Sequence, residues 1–414
     1  MKKLLFLTLL VVISATGFAQ TQQIDSLKEA IEKLDGKTSA LDDRVLVNES
    51  DLSKLNKIKV SGYIQAQWET YQKDLLNPGD PTNTFYIRRA RVKFTYEAAD
   101  GVKFVLQPDF STGNLSLKDA YAVINIPKLN GWTIWAGQFN RPDYEVEYSS
   151  SSRETMERSK VIRAIYPGER EIGAKLEYSG TNVPLLFQLA LLNGNFKDIQ
   201  AKDVDSKKDV MARLVYSLKL KSAGVGIDFG VNGYYGGNKA KTNQYTLESN
   251  GTLDSMNIGD YLKKQWFGAE VRVYADVLGG LALKGEFITG SNSVASTLAS
   301  SATMAQKKAS PNTVNDFTGY YLYLIKNLGK KHELVAKYDY YDPNKALSGD
   351  AAKSSIWYKT FTVAWQYYLN DNIRITAQYE MPQNEKNSTI KNKAGVAGTQ
   401  LADNTFSVRV QAKF

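Results

Sequence analysis

Three cations, Arg89, Arg91 and Lys93, recur at every second position of one segment. In a pleated strand that spacing puts them on one face, about 6.6 Å apart. Such a ladder can pass an oxyanion from rung to rung. The planar guanidinium fork matches two phosphate oxygens, and the lysine adds a point charge. Several spaced cations also release what they bind, as transport requires. The intervening Ala90, Val92, Phe94 and Tyr96 are apolar, so the stretch from Phe85 to Tyr96 meets two different solvents. A soluble sheet packed on a core and a membrane strand between lipid and water both read this way. Arg88 falls on the apolar face, where it would snorkel to headgroups.

The same alternation turns Lys59, Lys103, Lys175, Arg213, Arg272, Lys284, Lys337, Lys359, Arg374, Arg409 and Lys413 to the side of the ladder. Glu69, Asp109, Asp119, Glu177, Asp228, Glu270, Glu286, Asp339 and Glu380 point with them, leaving a positive but mixed surface. Whether these cations meet a solute or are neutralised by neighbouring carboxylates is open at this level. In segment 140–170, Arg141, Arg153, Arg158, Lys160, Arg163 and Arg170 stand against Asp143, Glu145, Glu147, Glu154, Glu157 and Glu169. That balance argues against a simple anion trap, because opposed charges across a narrow opening favour dipolar solutes. The segment reads either as a constriction or as a solvated surface loop.

Strands must hold these groups. Period-two alternation marks sixteen, near 58–70, 85–97, 102–110, 116–126, 132–139, 171–179, 184–193, 209–219, 225–234, 265–276, 281–289, 316–326, 333–341, 357–368, 372–381 and 404–414. Connections alternate long and short: 71–84 then 98–101, 140–170 then 180–183, 235–264 then 277–280, 290–315 then 327–332, with 382–403 long again. Only 111–115 is brief on the long side. This asymmetry is the mark of an outer-membrane barrel, and an even strand count returns both ends to one side. The last strand sets Phe406, Val408, Val410, Ala412 and Phe414 against Ser407, Arg409, Gln411 and Lys413. Aromatics gather near strand ends (Tyr63, Trp68, Trp132, Trp135, Tyr320, Tyr321, Tyr323, Tyr338, Tyr340, Tyr341, Trp357, Tyr358, Tyr367, Tyr368), which two interfacial girdles would explain, although ordinary cross-strand packing is the better account of any one of them taken alone. The expected fold is therefore an all-β transmembrane, sixteen-stranded antiparallel barrel.

Past the N-terminus no run approaches twenty apolar residues, which excludes a bundle of membrane helices. Without cysteine there is no disulfide or thiolate metal site. Residues 1–19 read as a secretory signal, with Lys2 and Lys3, an apolar run from Leu4 to Ile13, and a Gly17-Phe18-Ala19 cleavage site. The run is too short for the alternative, a membrane anchor. Residues 20–57 carry a heptad seam at Ile24, Leu27, Ile31, Leu34, Thr38, Leu41, Val45, Asn48, Leu52 and Leu55. The seam predicts a coiled coil joining copies of the chain, with Thr38 and Asn48 as polar positions that fix register and Gly36 as a weak point. A helix docked on its own domain is the alternative. Residues 58–414 form the barrel.

Phe85 to Phe110 combines an R-R-A-R strand, a short turn and a strand ending Q-P-D-F. With the W-x-I-x-A-G-Q-F strand at Trp132–Phe139, the P-G-E-R-E-I-G segment at Pro167–Gly173 and the terminal Phe414, the chain resembles the phosphate-selective porin O/P family, particularly its Bacteroidetes-type members. Residues 233–316 carry no part of the likeness. The resemblance implies a trimeric outer-membrane porin whose third extracellular loop enters the lumen and whose basic side chains guide anions such as phosphate, without a cofactor. Expected partners are two further copies, outer-membrane lipid and small solutes, with residues 20–57 in the periplasm in contact with the cell wall. Nucleic acid is not among them, because the cations are dispersed instead of clustered. Catalysis lacks its parts: His332, the only histidine, sits at a turn, and no Gly-x-Ser-x-Gly elbow occurs. A general porin for sugars or zwitterions and an adhesive barrel are the remaining alternatives.

Overall fold

The computed structural model describes residues 28–49, 51–52, 57–72, 82–111, 113, 115–180, 182–194, 203, 205–391, 395–398 and 401–414. The chain divides into two units, residues 1–59 and 60–414. The signal segment and the seam positions Ile24, Leu27 and Leu55 lie outside the described residues. In the first unit residues 28–49 form helix α1, and Gly36 does not interrupt it. Ile31, Leu34, Leu41 and Val45 leave 44–63% of their surface uncovered. A narrow apolar stripe left bare is what a partner helix would bury.

The second unit is a single sheet. Its barrel strands are β1 (Ile58–Tyr71), β2 (Asn83–Ala99), β3 (Val102–Asp109), β4 (Ser116–Asn125), β5 (Trp132–Asn140), β6 (Arg170–Ser179), β7 (Leu185–Leu192) and β8 (Asp209–Leu220). They continue with β9 (Val225–Lys239), β10 (Tyr261–Ala275), β11 (Leu281–Val294), β12 (Asn312–Leu328), β13 (His332–Asp342), β14 (Tyr358–Tyr368), β15 (Ile373–Asn384) and β16 (Thr405–Lys413). Each strand pairs with the next, and β1 pairs antiparallel with β16, Tyr63 opposite Lys413, so the sheet closes into the expected sixteen-stranded barrel. Gly62 sits at the seam: a Cβ there would lie 2.5 Å from the Arg91 carbonyl oxygen and 2.6 Å from the Phe414 ring. Two further strands, Tyr245–Leu247 and Leu253–Ser255, make a hairpin in the long connection after β9.

Burial decides what the alternation left open. On the outer face Phe94, Phe104, Leu106, Phe229, Phe267 and Trp365 are 40–62% exposed. On the inner face Gln65, Lys175, Arg213, Glu270 and Arg409 are at most 4% exposed. In water each square ångström of bare apolar surface costs about 25 cal/mol; against lipid the same surface is at rest.

Four readings are corrected. Strands β9 to β12 run four or five residues further toward the long loops than the apolar pattern does, through Gly236–Lys239, Tyr261–Lys264, Gly290–Val294 and Asn312–Asn315. Ladder hydrogen bonds continue there without an apolar face to announce them. Arg88 does not snorkel. Phe85 and Ile87 face out at odd numbers while Phe94 and Tyr96 face out at even ones, so parity switches at Arg88–Arg89 and both arginines turn inward. Lys359 lies on the outer face with Phe361 and Val363. Finally, Tyr63, Tyr321, Tyr323 and Tyr341 are buried in the lumen and belong to no girdle.

Candidate functional site

The connection between β5 and β6 folds into the barrel. Asp143 begins helix α2 (Tyr144–Glu147) by accepting the Val146 N–H at 3.1 Å. Helix α3 (Lys160–Ile165) buries Val161, Ile162 and Ile165. Gly319 on β12 makes room for it, since a Cβ there would meet Val161 at 2.6 Å. Around α3, Phe139, Tyr166, Leu192, Tyr234, Trp266 and Phe317 form an apolar core inside the lumen, and the Trp266 indole donates to the Tyr166 hydroxyl at 2.9 Å.

The tip of the loop is gripped by its main chain. Gln65 donates to the Ser150 carbonyl at 3.1 Å, Gln411 to that of Ser151 at 2.9 Å, and Gln366 to that of Glu154. Gln378 accepts the Met156 N–H at 2.9 Å, Arg409 donates to the Met156 carbonyl at 3.0 Å, and Asp339 accepts the Lys160 N–H at 2.9 Å. Sequence reasoning passed over these glutamines because they are neutral, although all stand at inward positions of the alternation. The segment 140–170 is thus a loop within the lumen.

Its charges meet two different walls. On β8 and β10, Arg213 forks onto Glu270 at 2.8 and 3.0 Å and reaches Glu147 of α2 at 2.9 Å. Arg272 pairs with Asp228 and Glu270, both at 3.2 Å, and its guanidinium lies 4.3 Å above the Tyr144 ring. Lys175 contacts Glu147 at 3.2 Å and Glu177 at 2.7 Å. Carboxylates outnumber cations here. Burial pushes the Asp143 carboxyl up to about 7, against the pull of the Val146 N–H and Arg213.

Near β1, β2 and β16 the balance reverses. Glu157 takes a two-pronged bond from Arg88, with both contacts at 2.8 Å, and lies 3.6 Å from Arg89 and 3.3 Å from Arg409. Arg153 is 3% exposed, and none of its three guanidinium nitrogens has a hydrogen-bond partner; Arg89 Nε is also without one. Burial alone would raise the Glu157 carboxyl, but Arg89, Arg88 and Arg153 overcome it and hold the group well below the usual carboxylate range.

The ladder divides between tasks. Arg91 is an anchor: it pairs with Asp109 at 2.7 Å and donates to Tyr63 at 3.0 Å and Ser150 at 3.2 Å. Arg89 joins the Glu157 group. Lys93 lines a cavity of about 570 Å³ toward the short turns, with Tyr63, Lys175, Arg170 and Lys413. A second cavity of about 530 Å³, lined by Asn238, Lys239, Lys241, Lys264 and Asn292, opens toward the long loops. Arg374 sits apart, its Nη2 3.4 Å from Gln411. Within the loop Arg141 pairs with Glu171 at 2.9 Å, Arg158 with Glu169, and Arg170 with Asp119 at 3.0 Å. Lys160 lies 4.1 Å above the Tyr358 ring, and Arg163 is exposed. Among the described residues no group of three or more histidine, aspartate or glutamate side chains is placed to hold a metal.

Residues 58–414 match the profile of a family described as phosphate-selective porin O and P. The fold is similar to the outer membrane channel DcaP of Acinetobacter baumannii, at 11% identity and a TM-score of 0.54 over 86% of this chain and 97% of that one. It is also similar to a loop L8 deletion mutant of OmpT of Vibrio cholerae, 12% identical with a TM-score of 0.52 over 86% and 99%. The trimer form of in-vitro folded OmpT gives 11% and 0.50 over the same shares. At such identities the likeness is one of fold. No curated protein matches the chain.

Proposed function

The chain belongs to the phosphate-selective porin O and P family, and from that premise we propose that its anion path runs over Arg89, Arg153 and Arg409 at the loop tip. The protein is an outer-membrane porin, a channel for small hydrophilic solutes and not an enzyme. The selectivity rests on one observation: the Arg153 guanidinium is buried and finds no acceptor, beside an Arg89 that is only partly satisfied. A buried guanidinium without a partner costs several kcal/mol, and an oxyanion supplies the missing acceptors in the fork's own geometry. Lys93 and Lys175 below the loop would receive the anion, and Lys239 and Lys241 above it would gather anions from outside.

A second reading has its own support. Glu147 and Glu177 share the lower cavity with Arg91, Arg170 and Lys93, opposed charges that would orient a zwitterion. Reversal potentials in planar bilayers across a potassium chloride gradient, with and without added phosphate, separate the two. Anion preference with phosphate block, weakened about tenfold by Arg153→Ala or Arg89→Ala, fits loss of a charged hydrogen bond. Equal permeability to both ions in wild type and variants leaves the general-porin reading.

We propose a homotrimer, with α1 in the periplasm as a coiled coil within reach of the cell wall; the bare stripe of α1 and the trimer form of the fold relative support this reading. Residues 1–19 would be removed on export.

A further inference from the structure

Two grooves on the apolar outer wall, among the described residues, differ in their surroundings. One, of about 470 Å³, runs across β12 to β15 near the short turns. Strand register explains its shape. Ala336 lies between Leu324 and Val363 in one cross-strand row, and Ala377 lies beside Trp365 in the next, so two small side chains make a diagonal floor between bulky walls. At the turn the groove reaches Lys326, followed within six residues by Lys330, Lys331 and His332 with no acid between them. The flanking turns contribute only Asp276 and Asp371, and Glu333 lines an inner cavity instead.

His332 is set for donation. Its Nδ1 accepts the Trp365 indole N–H at 3.2 Å, which leaves the proton on Nε2 and that N–H turned away from the pair. The ring packs against both Trp365 and Tyr367, with centroids at 5.8 and 5.1 Å, and those two rings lie 6.1 Å apart, as an aromatic belt holds a polar tip at headgroup level. The other groove, of about 400 Å³ over Phe104, Ala120, Ala122 and Ala136, ends near a turn that carries Glu97 and Asp100 against Lys103. Apolar volume is therefore common to both, but of the two only the β12–β15 groove ends on a cationic turn packed against aromatic rings.

We propose that this groove binds one anionic phospholipid of the periplasmic leaflet, its phosphate on Lys330, Lys331 and the His332 Nε2–H and an acyl chain along Ala336 and Ala377. Juxtamembrane basic residues attract anionic headgroups in this way. The assignment of the leaflet rests on the outer-membrane reading; the binding chemistry does not.

The full chain, delipidated in neutral detergent, is titrated with phosphatidylglycerol or phosphatidylcholine and read by native mass spectrometry. One phosphatidylglycerol per chain is expected, with phosphatidylcholine held at least fivefold more weakly. Lys330→Gln with Lys331→Gln removes that preference, and Ala336→Phe with Ala377→Phe lowers retention of both lipids by closing the groove. Equal retention of the two lipids by wild type, or undiminished phosphatidylglycerol in the lysine variant, overturns the proposal. So does an interchain disulfide through Ala336→Cys in phosphatidylglycerol membranes, because a second copy would then occupy the groove. Conductance of the same samples is read separately: a silent channel that still retains phosphatidylglycerol counts against the porin alone.

Discussion

The two walls of the constriction use the same side chains to opposite ends. Around Arg213 and Arg272, four carboxylates (Glu147, Asp228, Glu270 and Asp143) crowd two guanidiniums. Around Glu157, three arginines converge on one carboxylate and Arg153 is left over. Arginine in a pore is therefore no sign of a solute path in itself. A guanidinium with two carboxylates is a rivet, and one with a fraction of a carboxylate is a place where an anion can rest. Counting cations along the chain treats both as lumen charge; only their partners separate them.

The sharpest break is Glu157→Gln. Removing the single carboxylate from among buried arginines should cost about 3–5 kcal/mol, seen as a lower unfolding midpoint. The same change should raise the chloride-to-potassium permeability ratio severalfold, and an unchanged ratio would make the two walls equivalent.

Titration should separate the walls next. Glu157 is held below its unfolded value, so its contribution is complete above about 4.5 and is lost as pH falls through the depressed folded value. Asp143 runs the other way. Raised from 3.8 to about 7, it keeps its proton in the folded state, and stability falls as pH rises between those values and levels above them. Thermal unfolding followed from pH 4 to 8 should show that decline, and Asp143→Asn should make it shallower. A wild-type curve that is already flat would remove the surplus of acid from the comparison.

Smaller effects test the scaffold. Gly319→Ala drives a methyl group into Val161 and should cost about 1–3 kcal/mol through overpacking, with altered single-channel conductance as α3 shifts. Smallest is Glu270→Gln, where Arg213 keeps Glu147 and Arg272 keeps Asp228. About 1–2 kcal/mol of stability is at stake, and the permeability ratio should not move. If it does, the rivet is also a path.

Strand count and closure were legible because each leaves a periodic or length signal, whereas the inward course of segment 140–170 was expected only from the family resemblance, its own residues leaving a surface loop open as well. Phe406, Val408 and Val410 face lipid where the alternation put them, and Lys175, Arg213 and Arg409 face the lumen. The outer ends of β9 to β12 were not legible, because Gly236, Gly237 and Asn238 extend a ladder with no apolar face. Arg88 was misplaced by a parity switch whose trace, Phe85 and Ile87 at odd positions, is in the chain but conflicts with Phe94 and Tyr96 only when both are read together. At the site, composition gave the six-against-six balance of segment 140–170. The partners that make Arg158 and Arg170 structural and leave Arg153 bare come from three-dimensional approach, which no spacing along one strand encodes.

The grip on the loop tip has a consequence for how such a channel can change over generations. Gln65, Gln366, Gln378, Gln411, Arg409 and Asp339 all hold carbonyls and amide N–H groups, which every residue type possesses. The position of the constriction is thereby uncoupled from the identity of the side chains it displays. Substitutions at Arg153 or Glu154 can retune what passes while the loop stays seated, whereas a substitution at one of the glutamines would unseat it. Evolution can search for new cargo on a fixed frame, and the constraint on that search lies in the wall.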